Sequence, residues 1–283
     1  MANPTIAVIN FTTTLNDNDV RQAIHAVNRQ VDEQFQPIWG IARTLKPFVP
    51  NFDLSDPDTL ANESVPADSV MYLVNESSLP GALGFHDLNT RDKPFGFVFV
   101  LNPADWTTTL SHEVLELILD PTANVFVPGP DPRNPANMVL HSYEACDAVE
   151  RQSYPIGDVM VSDFVTPSYF TPGEAAGSQN DFLGVGVPSF GVTKGSHLGV
   201  FDLSAGQFVE IHGEQAPLTA RRHLAARAKE YDRARPARPE DQIQKILGDY
   251  QSRTPRSGMS GLKAIRGVTR KARYRNSIAT ARV

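Results

Sequence analysis

Cysteine is almost missing from this chain. Cys146 stands alone among 283 residues, so no internal disulfide can form, and a reducing compartment is expected. Long apolar runs are missing too. No stretch reaches about 18 apolar residues, which excludes the pattern of a transmembrane helix. The opening MANPTIAVINF has neither a basic start nor a long apolar stretch, so no secretory signal is expected. The expected setting is the cytoplasm, or carriage in a particle, with no membrane partner. Acidic residues are missing from Gln251 onward. That stretch reads as a flexible basic extension.

The charge is unevenly spread. Residues 221–283 hold 17 Lys+Arg against 5 Asp+Glu, a balance of +12. The first 220 residues hold 9 against 27, a balance of −18, and together these give the net charge of −6. An acidic body therefore carries a basic tail, which suits an acidic partner. Nucleic acid is the disfavoured partner, because the body repels it and the tail has too few aromatics for a stacking platform. With 41% hydrophobic residues, a sizeable core is possible. The 22 prolines favour a fold with many loops over a plain helical bundle.

Periodicity gives a coarse order of elements. TIAVINF is a short strand. Val20, Ile24, Val27, Val31 and Phe35 recur at helical spacing, with Asn16 or Asn18 as N-cap and Pro37 ending or closely following the helix. IARTLKPFVP, SVMYLVNE and FGFVFVLN read as strands, and PGALGFHDLN as a glycine-rich turn. DWTTTLSHEVLELILD is a helix stopped by Pro121, and NMVLHSYEACDAVERQSYPI holds a second one ending before Pro155. Hairpins and loops follow to about 215. Residues 218–250 read as helical, and 251–283 as tail. GVGVPSFG lacks the following helix that a phosphate loop needs.

The chemistry concentrates in SHEVLELILD. On a helix, His112 and Glu116 share a face with roughly 6 Å between Cβ atoms. Both can reach one cation. Glu113, rotated by about 100°, can reach a water beside it. A carboxylate in the second ligand position still offers a charged oxygen. Taken alone, the motif also fits a common amphipathic helix. Here, however, the helix is apolar elsewhere, so His112, Glu113, Glu116 and Asp120 form most of its polar face.

The order strand, helix, three strands, then a His-Glu-x-x-Glu helix resembles the zincin clan of metallopeptidases, chiefly over about residues 4–150 and less closely to about 215, within an expected domain of 4–217. The chain is also similar to a bacterial and phage-associated group with SHEVLE, E-x-C-D-x-x-E and VSDFV-x-P segments. The resemblance implies an α+β fold: a zincin-like mixed sheet with an active-site helix, then a β/loop-rich portion and the basic C-terminal extension. It implies a metal-dependent peptidase acting on a peptide or protein substrate. FGFVFV would be the strand that edges the cleft.

In the gluzincin branch a downstream helix supplies a third ligand. By resemblance that ligand is Glu144, with Asp147 behind it or as the alternative ligand. The spacing here is Glu-x-x-Asp, where the branch has Glu-x-x-x-Asp. The expected set is thus His112, Glu116, Glu144 and Asp147 as metal ligands and Glu113 as general base. Zinc is the first choice of divalent metal, and the oxygen-rich set also suits Mn, Fe or Ca. The rival expectation is a non-catalytic structural or particle-associated protein on the same scaffold, docking through its tail.

Other residues read as ordinary. A Cys146 thiolate could coordinate zinc, but on a helix it points away from Glu144, so a buried structural thiol is the expectation. His86, His141 and His197 are expected to be ordinary loop or strand-edge surface residues, with a substrate-facing role as the alternative for His86. Asp120 is assigned to local structure, and Tyr154 to packing in preference to a hydrogen bond to an oxyanion.

Overall fold

The computed structural model describes residues 3–50, 65–75, 82–89, 92–101, 104–173 and 179–213. The helix expected over 218–250 and the tail over 251–283 lie outside the described residues. What is described is a mixed α+β fold rich in sheet. None of its helices is long and apolar enough to cross a membrane.

The first sheet is built around β1 (Thr5–Asn10), whose four central residues are all buried. Continuous burial is the mark of a parallel strand covered on both faces. It lies between β2 (Thr44–Pro47) and β3 (Ser69–Val74), parallel to both. Next comes β5 (Pro94–Phe99), parallel to β3, and last the antiparallel β4 (Gly84–Leu88). The edge beside the site is therefore β4. FGFVFV, expected at the edge, is an interior strand.

The stretch expected to be a turn forms β4. Its glycine marks close packing rather than a reversal. A Cβ on Gly84 would stand 2.7 Å from Glu113 Oε1 and 2.8 Å from the Phe97 carbonyl oxygen. Across the register His86 faces Gly96. Period-two alternation sends Phe85 to the opposite face, where it meets Phe95, Phe97 and Phe99.

Helix α1 (Asp17–Gln30) opens with a capping box. Asn16 accepts the N–H groups of Asn18 and Asp19, and Asp19 accepts the N–H of Asn16. Val20, Ala23, Ile24 and Val27 face the core. Pro37 does not end this helix. A π-turn at Val31–Phe35 leads into α2 (Gln36–Trp39), with the Gln36 N–H reaching back to Val31. Pro37 falls in the first turn of α2, where a missing N–H costs little. Gly40, at φ +72°, closes the helix.

Helix α3 (Trp106–Leu119) packs on β4 and β5 and on β9 (Val159–Ser162), which forms a hairpin with β8 (Ser153–Ile156). Asp120 then builds the following turn, accepting the N–H groups of Thr122, Asn124 and Val125. The second expected helix is absent. That segment forms β7 (Asn134–Ser142), a loop, and a single 3-10 turn at Asp147–Val149. Pairing with β6 (Phe126–Asp131) and β10 (His197–Asp202) overrides its helical propensity. With β11 (Gln207–His212), these make a four-stranded antiparallel sheet.

Candidate metal centre

Four pieces of chain converge beside α3. The helix presents His112, Glu113 and Glu116. Strand β4 adds His86, the loop after β7 adds Glu144, Cys146, Asp147 and Glu150, and the start of β10 adds His197. His112 Nε2 lies 3.3 Å from Glu116 Oε2 and 3.3 Å from Asp147 Oδ1. His86 Nδ1 lies 3.5 Å from Glu113 and 3.7 Å from Glu116, and its Nε2 lies 3.7 Å from Glu144. His197 Nε2 stands 3.4 Å from Asp147, while its Nδ1 is 3.0 Å from Glu150. The side chains of His86, Glu116 and Glu144 are at most 5% exposed, whereas His197 is 29% exposed. Solvent is therefore nearest at the His197 end.

The helix is held in position from behind. Ser111, next to His112, donates to Gln30 Oε1 and accepts the Ser162 N–H. Gln30 in turn donates to the Ser162 carbonyl and the Tyr154 hydroxyl. Tyr154 also donates to Gln34, so its hydroxyl serves packing. Glu116 is held from the side. Its Oε1 accepts the N–H groups of Cys146 and Asp147 at 3.1 and 3.2 Å, which leaves Oε2 turned toward the imidazoles.

Ligand atoms of His112, Glu116 and Cys146 all lie within 4.8 Å of one another, and so do those of His86, Glu116 and Glu144. A direct ion-pair hydrogen bond closes to about 2.7–2.9 Å. Donors at about 2.0–2.2 Å from one tetrahedral cation stand about 3.3–3.6 Å apart. The spacings around His112 match the second figure. Charge points the same way. Five carboxylates (Glu113, Glu116, Glu144, Asp147, Glu150) face three imidazoles (His86, His112, His197), an excess of negative charge in a buried place. A cation would offset it. The residues present fit a divalent metal.

The titrations follow from burial and neighbours. Burial opposes charge on His112, but Glu116 and Asp147 outweigh it and raise its pKa well above the ordinary value. Burial would raise Asp147, yet His197 and His112 hold it at about 2. His197 rises to about 10, because Asp147 and Glu150 overcome its desolvation. Burial raises the carboxyl of Glu113, with His86 and His112 pulling against it. Burial also pushes the Cys146 thiol well up.

The five residues singled out in the sequence all reach this centre, in a different grouping from the expected one. Asp147 stands with His112, while Glu144 stands with His86. Two histidines lie elsewhere than expected: His86 and His197 face these groups and not the general surface. Cys146 is the expected buried thiol, and it stands with His112 and Glu116 because residues 143–146 form a loop and not a helix. The period-two pattern of GFHDL, which puts Phe85 and His86 on opposite faces, was the available signal for His86. His141 is also no surface residue. It is 2% exposed, 2.9 Å from the Pro130 carbonyl, with its ring against Phe190. At the glycines of GVGVPSFG, Asp181 accepts the N–H groups of Val185, Gly186 and Val187.

No protein-family model matches the chain, and no curated protein matches its sequence.

Proposed function

We propose that the chain is a zincin-like metal-dependent hydrolase that cleaves peptide or amide bonds. The observation that carries this reading is the donor set on α3: His112 and Glu116 at cation-ligand spacing, with Glu113 between them in sequence and against the edge strand in space. His112 and Glu116 would hold the cation, zinc by first choice, with the Cys146 thiolate as third ligand and the fourth position left for water, while Asp147 orients His112. When bound, the metal supplies Lewis-acid polarisation of a carbonyl oxygen and of water.

The chain's own residues do the remaining work. Glu113, its pKa raised by burial, takes a proton from the attacking water on a carboxylate oxygen and returns it to the leaving amine. Backbone N–H groups of Cys146 and Asp147 keep Glu116 in one orientation. Glu150 orients His197, whose Nε2 faces the centre from the solvent side. Among the described strands β4 is the last of its sheet, and an extended peptide substrate is assigned to pair alongside it. The basic extension is assigned to an acidic partner, apart from this chemistry.

Glu113→Gln tests the reading. The variant is expected to keep its metal and to lose cleavage of a peptide library by at least about 100-fold. Equal cleavage by variant and parent would remove Glu113 from the mechanism. Metal-loaded parent that cleaves nothing would favour the non-catalytic scaffold.

A further inference from the structure

We propose that the centre takes two cations, with Glu116 as the bridge between them. This rests on the metal-centre reading above and extends it. The first cation belongs to His112, Glu116 and Cys146, with Asp147 beside His112. The second belongs to His86, Glu116 and Glu144.

The donors fall into two compact groups rather than one, and Glu116 is the only residue common to both. The sharing comes down to one oxygen. Glu116 Oε1 is engaged by two backbone N–H groups. Oε2 stands 3.3 Å from His112 Nε2 and 3.7 Å from His86 Nδ1. A carboxylate fixed at one oxygen and flanked by two imidazoles at the other is arranged as a bridge. Cations sharing such a ligand stand about 3.5–4 Å apart in two-metal hydrolytic centres.

Charge supports a pair. The imidazoles must be neutral to act as ligands. Against five carboxylates and the Cys146 thiolate, two dications offset more of the negative charge than one does. The side chains of the second group are 3–5% exposed, so water compensates little of that charge.

The two groups differ in softness. Cys146 brings a thiolate to the first, which selects zinc. The second offers one imidazole and two carboxylates, which suits a harder ion such as Mn²⁺. Strand β4 is held against α3 by the glycine at 84, so His86 is carried on a strand packed directly on the helix.

The test is titration of the demetallated full chain with Co²⁺, read by absorption and by elemental analysis after desalting. Two equivalents are expected. One should give a thiolate-to-cobalt charge-transfer band that Cys146→Ser removes. His86→Gln and Glu144→Gln, each checked for native circular dichroism, should lose the other equivalent and keep the band. A single equivalent in the parent overturns the pair while leaving the mononuclear reading standing. No bound cobalt in the parent overturns both. Two equivalents retained in both His86→Gln and Glu144→Gln would overturn the assignment of the second site. The parent stoichiometry decides the main point even if a variant fails to fold.

Discussion

At the scale of single residues, Glu116 does what a histidine in its place could not. One oxygen takes two backbone N–H groups while the other faces two imidazoles. The pair His112 and Glu116 was legible because i, i+4 spacing places them on one face wherever a helix forms. Cys146 was not legible. Its role depends on residues 143–146 leaving helical geometry, and no local pattern announces that. Asp163 is a second residue whose state depends on burial. It is fully buried, and burial lifts its carboxyl to about 7 from an ordinary 3.8. The folded state keeps a proton that the unfolded chain releases. The stability from this group is full below pH 3.8 and is lost as pH rises through 7. Asp163→Asn keeps an oxygen to accept the N–H groups of Phe164 and Leu183. It should stabilise the protein by roughly 2–4 kcal/mol at pH 8 relative to pH 4, measured by urea denaturation at both pH values. An equal effect at the two pH values would contradict the assignment.

At the scale of elements, the site is made by what β4 and the loop after β7 bring to α3. Strong local patterns marked β1, β3, β5, α1 and α3, since each buries a continuous or periodic apolar set. Strand β4 escaped notice because its glycine and polar residues resemble a turn, and only pairing with β5 makes it a strand. The segment of β7 reads as helical until β6 and β10 claim its backbone hydrogen bonds. The contact between β4 and α3 is the most exposed to test. Gly84→Ala would place a Cβ 2.7 Å from Glu113 Oε1 and 2.8 Å from the Phe97 carbonyl oxygen. Strand or helix must shift. Turnover is expected to fall at least about 10-fold, because misplacing a catalytic group by about 1 Å carries a cost of that order or more. Unchanged kinetics in Gly84→Ala would show that β4 does not position Glu113.

At the scale of the whole molecule, the first 220 residues carry a balance of −18, and the centre concentrates carboxylates within that acidic body. Such a field raises the local concentration of cations, so metal uptake should slow as salt is added. Binding to the folded state alone also stabilises it. Zinc at 100 times its dissociation constant adds about 2.7 kcal/mol, or roughly 5–10 °C in Tm for a domain of this size. Differential scanning calorimetry of chelator-treated protein, before and after zinc is restored, should show that rise. His112→Ala/Glu116→Ala should show none.

The most direct measurement is the metal content of the full chain purified without added metal, beside that of His112→Ala/Glu116→Ala. The account predicts at least one equivalent of a divalent transition metal in the parent and none in the variant. No metal in either, even after incubation with zinc, would contradict it, and α3 would then be an amphipathic helix with a buried ion-pair cluster.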